Sequence, residues 1–142
     1  MQNPDEASRN YKSVWDDDAR GTGHARSMLD SDQAWSAKEN TVGQWMQINL
    51  GKTSCVNGVI TQRRKNIDQR VTSYKLSYSI DGSSFTPLPQ VFSANVNNDE
   101  SKVTNRFEAV QAQYVRIIVQ AWNNHISMRA GVIAGIGPTG IF

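Results

Sequence analysis

Residues 114–129 run from the β-branched stretch Tyr114-Val115-Arg116-Ile117-Ile118-Val119 through Trp122, Asn123, Asn124 and His125 to Arg129. An indole, two amides and an imidazole at the end of a strand can stack on a guest and hydrogen-bond it, but they do not pair a nucleophile with a base. A second cluster, Arg63-Arg64-Lys65-Asn66-Ile67-Asp68-Gln69-Arg70, places four cations in eight residues just past a strand end. At least one of its guanidinium groups should point into the surrounding loops, where it suits a phosphate, a sulfate, a carboxylate or sugar hydroxyls. Trp15 lies among Lys12, Ser13 and Asp16-Asp17-Asp18, a setting too polar for a core residue. A flat indole is what the C–H face of a sugar stacks on, and also what an interfacial membrane anchor uses. Catalytic groupings are missing. The aspartate run has no histidine or metal-binding pattern beside it, His24 and His125 are about a hundred residues apart, and His24 has no evident partner in sequence. Cys55 is the only cysteine, so neither an intrachain disulfide nor a multi-cysteine metal site can form. The chain reads as a recognition module and not an enzyme.

These groups need a scaffold. The 142 residues carry 15 basic and 13 acidic side chains for a formal charge of +2, which fits one domain over 1–142 and argues against nucleic acid. No apolar run reaches the roughly 18–20 residues of a membrane-spanning helix, and Met1-Gln2-Asn3-Pro4-Asp5-Glu6 lacks signal-peptide character. The chain is therefore expected to be cytoplasmic unless a signal has been removed. Period-two alternation dominates after residue 44, and no segment repeats its apolar residues at helical spacing, so the fold is expected to be all-β. Trp45 to Leu50 is a strand with Met46, Ile48 and Leu50 on one face, followed by a turn at Gly51-Lys52. Val56 to Gln62 is the next strand, and Val71 to Ser79 points Tyr74, Leu76 and Tyr78 inward. Asp81-Gly82 makes a hairpin that returns through Phe85 to Leu88. Phe92 and the run 102–107 are short strands flanking the polar loop Asn95 to Ser101. Tyr114 to Ala121 is a central strand, 127–136 a last one, the core spans about 7–136, and 137–142 is a tail. The polar first 44 residues exceed the roughly 12–15 residues of an ordinary unstructured loop, which marks them as functional.

The order and spacing of four segments resemble the discoidin domain, also called the coagulation factor 5/8 type C domain. They are Ala34-Trp35; Gln44 to Gly51; Gly58 to Gln62 with Val71 to Lys75; and Tyr114 to Arg129. The match is similar to the slime-mould discoidins around Trp122 to Ser127. The resemblance implies an antiparallel jelly-roll β-sandwich of galactose-binding type, whose loops at one end, called spikes, bind sugars, phospholipid headgroups or peptide termini. Two departures stand out. The cysteines that close extracellular members are missing, and Gly131-Val132-Ile133-Ala134 replaces the usual acidic and aromatic residues after Arg129.

The resemblance also implies a site. It places Tyr11 and Trp15 on spike one, Ser36 and Asn40 beside it, Arg63, Arg64 and Asn66 on spike two, Trp122 and His125 on the facing turn, and Asn95 to Asp99 as the remaining rim. Neutral Asn40, where peptide-binding members have an aspartate, disfavours a terminal arginine and suits hydroxyls. Of the residues that hold calcium in some carbohydrate-binding relatives only Asp30 is retained, so no metal or other cofactor is expected. Arg129 is expected to pair with Asp30. The implied function is non-catalytic binding of galactose- or GalNAc-type glycans in adhesion, at the cell surface or outside the cell, with several linked or assembled copies supplying avidity. The alternative is a peripheral binder of anionic phospholipid, with Val14, Trp15 and Ile67 dipping in while Arg63, Arg64 and Lys65 meet headgroups. A protein-interaction domain is the third reading.

Overall fold

A computed structural model describes residues 1–135, and the expected tail lies outside them. The chain forms β1 (Arg9–Tyr11), β2 (Trp35–Ser36), β3 (Trp45–Gln62), β4 (Arg70–Ser79), β5 (Thr86–Pro87), β6 (Phe92–Ser93), β7 (Val103–Asn123) and β8 (Ser127–Gly135). Among the described residues the only helical pieces are two 3₁₀ turns at Glu6–Ser8 and Trp15–Asp17. All named pairings are antiparallel, in the order β2-β8-β3-β7-β4-β5, with β1 on β3 and β6 on β4.

The two long strands build both layers of a jelly-roll sandwich. Residues 45–49 of β3 pair with 114–118 of β7, while residues 54–61 of β3 pair with 103–112 of β7. Between these stretches Asn49 opposes Tyr114 and Ser54 opposes Ala112, so four residues of β3 face one of β7. The surplus bends the ribbon so that one half packs on the other. Two expectations are corrected here. Gly51-Lys52 is no turn but a bulge inside one continuous strand, with Gly51 at φ 82° and its N–H bonded to Asn49 Oδ1. Likewise, 103–107 and 114–121 are parts of the single strand β7, because Val110, Gln111 and Ala112 between them keep the ladder with β3. The Asp81-Gly82 hairpin forms as expected: Ser77 faces Pro87, Tyr78 faces Thr86, and Gly82 has φ 79°.

Alternation fills the space between the layers. Trp35, Val56, Val59, Met128, Ala130 and Val132 from one layer meet Met46, Ile48, Tyr74, Leu76, Val115, Ile117 and Val119 from the other. Burying each large apolar side chain contributes about 1.5–3 kcal/mol against chain entropy. Tyr78 packs on this cluster at its half-buried margin.

All nine residues of β8 are buried, because the N-terminal segment covers the strand. Gln2 exchanges two backbone hydrogen bonds with Val132, and Ala130 N–H donates to the Ser27 carbonyl. Arg9, fully buried, spends its guanidinium on carbonyls: Nε donates to Pro4 O, and Nη1 to Ser27 O and Ala130 O. Gly131 has a reason of its own, since a Cβ there would lie 2.6 Å from Leu29 Cδ1 and 3.0 Å from the Gln2 carbonyl oxygen. Close approach of the covering segment therefore excludes the bulkier residue the resemblance led one to look for.

Candidate ligand-binding site

Spike one, residues 13–18, is held from below. Trp35 Nε1 donates to the Ser13 carbonyl at 2.8 Å, and Ser13 Oγ donates to Gln44 Oε1 at 2.6 Å. Above these anchors, Asp16 (φ 60°) and Asp17 (φ 52°) both take the left-handed backbone conformation, which turns the chain sharply after Trp15. That conformation is strained for a side chain with Cβ, although Asp tolerates it better than most. Lys38 Nζ pairs with Asp17 at 2.9 Å and closes the turn. The Trp15 ring is 45% exposed and meets His125 edge to face at 5.4 Å between centroids.

Trp15, His24, Ser36, Arg64, Gln69 and His125 line one shallow cavity of about 220 Å³. This is below the roughly 300–1,000 Å³ of drug-sized pockets and suits a single ring. His125 is a wall and not a donor. Its Nε2–H donates to the Ala37 carbonyl at 2.8 Å, which leaves Nδ1 to accept from Asn40 Nδ2 at 3.1 Å. Asn40 Oδ1 in turn accepts from the Ile126 N–H at 2.9 Å, so this amide fixes the imidazole from behind. Ser36, almost fully buried, shares a 2.7 Å hydrogen bond with Ser127 Oγ at the cavity floor.

His24 forms another wall, held in place by Asp18. Asp18 Oδ2 accepts from both the backbone N–H and the ring Nδ1 of His24, each at 2.9 Å. These bonds hold the Asp18 carboxyl below the usual carboxylate range. Gly23 makes the contact possible, because a Cβ at that position would collide with the Asp18 carboxylate. Arg64 completes the ring of groups. Its Nη1 donates to Gln69 Oε1 at 2.9 Å, and partial burial lowers its pKa.

Trp15, Ser36, Arg64 and His125 thus converge, with Asn40 behind them, whereas four other expected residues stand elsewhere. Tyr11 belongs to β1, where it stacks on Trp35 at 5.7 Å and shares a 2.7 Å hydrogen bond with Ser27 Oγ. Burial raises its phenol pKa. Arg63 turns back along spike two, donating from Nη1 to the carbonyls of Arg64 and Ile67, with its Nη2 4.0 Å from Glu100. Asn66 sits at the exposed tip at φ 62°, its N–H on Glu100. Trp122 is half-buried against the core opposite Val71. The third loop does not line the cavity either: buried Asn95 bonds Thr61 and Ser101.

Arg129 does not pair with Asp30. It donates to the carbonyls of Arg63 and Ser31 at 2.9 Å each and to Glu100 at 3.4 Å, while Asp30 takes Lys102 at 2.8 Å and Gln62. Among the described residues, no three His, Cys, Asp or Glu side chains converge as a metal site would require. Sequence reasoning missed His24, Asp18 and Gln69. The short spacing from Asp18 to His24, with Gly23 between, was the available signal.

Comparison with known proteins agrees with this architecture. The F5/8 type C domain family matches residues 6–132. Rat (Rattus norvegicus) lactadherin is 33% identical over 133 residues, which is 87% of this chain and 31% of lactadherin. The chain therefore spans about a third of that relative's length. Among solved structures, wild-type discoidin II from Dictyostelium discoideum superposes with a TM-score of 0.67 at 27% identity, over 86% of this chain and 48% of that one. A Clostridium perfringens domain solved in complex with GalNAc-β-1,3-galactose gives a TM-score of 0.66 at 17% identity, over 86% and 88% of the two chains, which shows a shared fold.

Proposed function

The chain belongs to the F5/8 type C (discoidin) domain family, and from that premise we propose that it is a non-catalytic module binding galactose- or GalNAc-type glycans. The carrying observation is the exposed Trp15 indole at the rim of a ring-sized cavity whose other walls are Arg64, His24, Gln69, Ser36 and His125. An indole stacks on the C–H face of a pyranose while the guanidinium of Arg64 and the imidazole of His24 bond its hydroxyls. The galactose disaccharide bound by the Clostridium relative supports the same ligand class. The reading needs no metal or cofactor. One such site is weak, so function in adhesion at a cell surface or outside the cell would use several copies.

A glycan array probed with wild type and Trp15→Ala tests the proposal. Galactose-terminated glycans should bind wild type and lose the variant. No bound glycan at millimolar sugar would reject it.

Exposed Ile67 (44%), with Trp15 at 45%, also favours a second reading, peripheral attachment to anionic phospholipid. Val14 packs on the core and Arg63 folds back on its own loop, which reduces the apolar tip to Trp15 and Ile67. Sedimentation with phosphatidylserine vesicles should then depend on lipid charge and fall for Ile67→Asp. Binding indifferent to both would dispose of this alternative.

A further inference from the structure

We propose that the sugar taken by this site carries a carboxylate, seated on the guanidinium of Arg64; the inference rests on the glycan-binding reading above. It starts from how spike two handles its charges. Lys65 pairs with Asp32 at 2.8 Å and Arg70 with Asp68 at 2.8 Å, while Arg63 lies 4.0 Å from Glu100. Flanking cations follow the same pattern, Lys102 with Asp30, Arg129 with Glu100 and Lys38 with Asp17. Arg64 alone in this spike has no carboxylate partner among the described residues. Its side chain bonds only Gln69 Oε1, an amide that also accepts from Ser127 Oγ at 3.2 Å.

A neutral amide aims a guanidinium without cancelling its charge. Withdrawing that charge partly from water with nothing opposite is unfavourable, and the imbalance is relieved when an anion arrives. Nη2 and Nε of Arg64 make no hydrogen bond within the described chain, so donors remain for a planar, two-oxygen acceptor. The His24 wall limits how much negative charge fits. Asp18 already engages His24 Nδ1, and His24 lines the cavity with no hydrogen bond made by its Nε2 among the described residues. One uncompensated cation in a ring-sized cavity matches a monoanion. A uronic acid places that charge on the sugar ring's own substituent, within reach of Arg64 while the ring stacks on Trp15.

The cleanest test compares methyl galactoside with methyl galacturonoside, which differ only in CH₂OH against COO⁻ at C6, by calorimetry on the intact chain. Wild type should prefer the uronate by roughly tenfold, as one charge-assisted hydrogen bond supports, and the preference should shrink in salt. Arg64→Gln should bind the two sugars about equally, with its melting curve confirming a folded chain. A galactoside bound as tightly as the uronate by wild type, a preference that survives in Arg64→Gln, or a stronger response to galactose 6-sulfate would each overturn the carboxylate assignment while leaving glycan binding intact. Binding to phosphatidylserine vesicles with neither sugar bound would overturn both.

Discussion

His24 and Asp18 show how much one contact can organise. A carboxylate that accepts twice from one histidine keeps the ring upright in the cavity wall, and its lowered pKa gives a sign for the pH dependence. Asp18 has a lower pKa folded than unfolded, so its contribution is complete above the unfolded value of about 4 and disappears as pH falls through the depressed folded value. Asp18→Asn should therefore melt below wild type at pH 7, with the gap closing in acid. Parallel melting curves at all pH values would show that the contact carries no stability. Trp15→Ala should do the reverse: the exposed ring adds little to folding, so the melting temperature should hardly move while sugar affinity falls roughly tenfold or more. Arg129 is a residue whose loss the fold should feel strongly. Arg129→Met strands the carbonyls of Arg63 and Ser31 and the Glu100 carboxylate, and denaturant titration should report a loss of about 3 kcal/mol or more.

At the level of elements, the strands were legible wherever alternation was clean and one face was buried. β4 and the 114–121 portion of β7 announced themselves that way, whereas β8 is buried along its whole length and shows no such alternation. Gly51 was misleading because a glycine at positive φ serves a bulge as well as it serves a turn, and only pairing with β7 distinguishes them. The site divided on a similar line. Trp15 and Arg64 could be picked out because exposed aromatics and cations beside strand ends have few other uses. Tyr11 and Arg63 belong to the same residue classes but were claimed by other partners, Tyr11 by the distant Trp35 and Ser27 and Arg63 by the carbonyls of its own spike at Arg64 and Ile67. His24 escaped notice because its partner is reached through a loop closed by Gly23. β8 offers a direct check of the covering segment. Gly131→Ala should cost about 1–3 kcal/mol through crowding of Leu29 and the Gln2 backbone, read as a lower denaturation midpoint.

Across the whole molecule, the sandwich separates stability from recognition. The described core is a single apolar cluster between layers, and the cavity hangs on loops at one end whose charges are largely neutralised in pairs. Among the described residues no helix is long and apolar enough to cross a membrane. The placement of the four indoles has a practical consequence. Trp35 is sealed in the core, Trp45 lies under the Arg116 guanidinium at 4.1 Å, Trp122 is half-buried, and Trp15 alone among them is largely open to solvent. Fluorescence of the native protein should accordingly contain one red-shifted emitter open to collisional quenchers such as iodide, and sugar should shield it, turning the unlabelled chain into an optical gauge of its own occupancy.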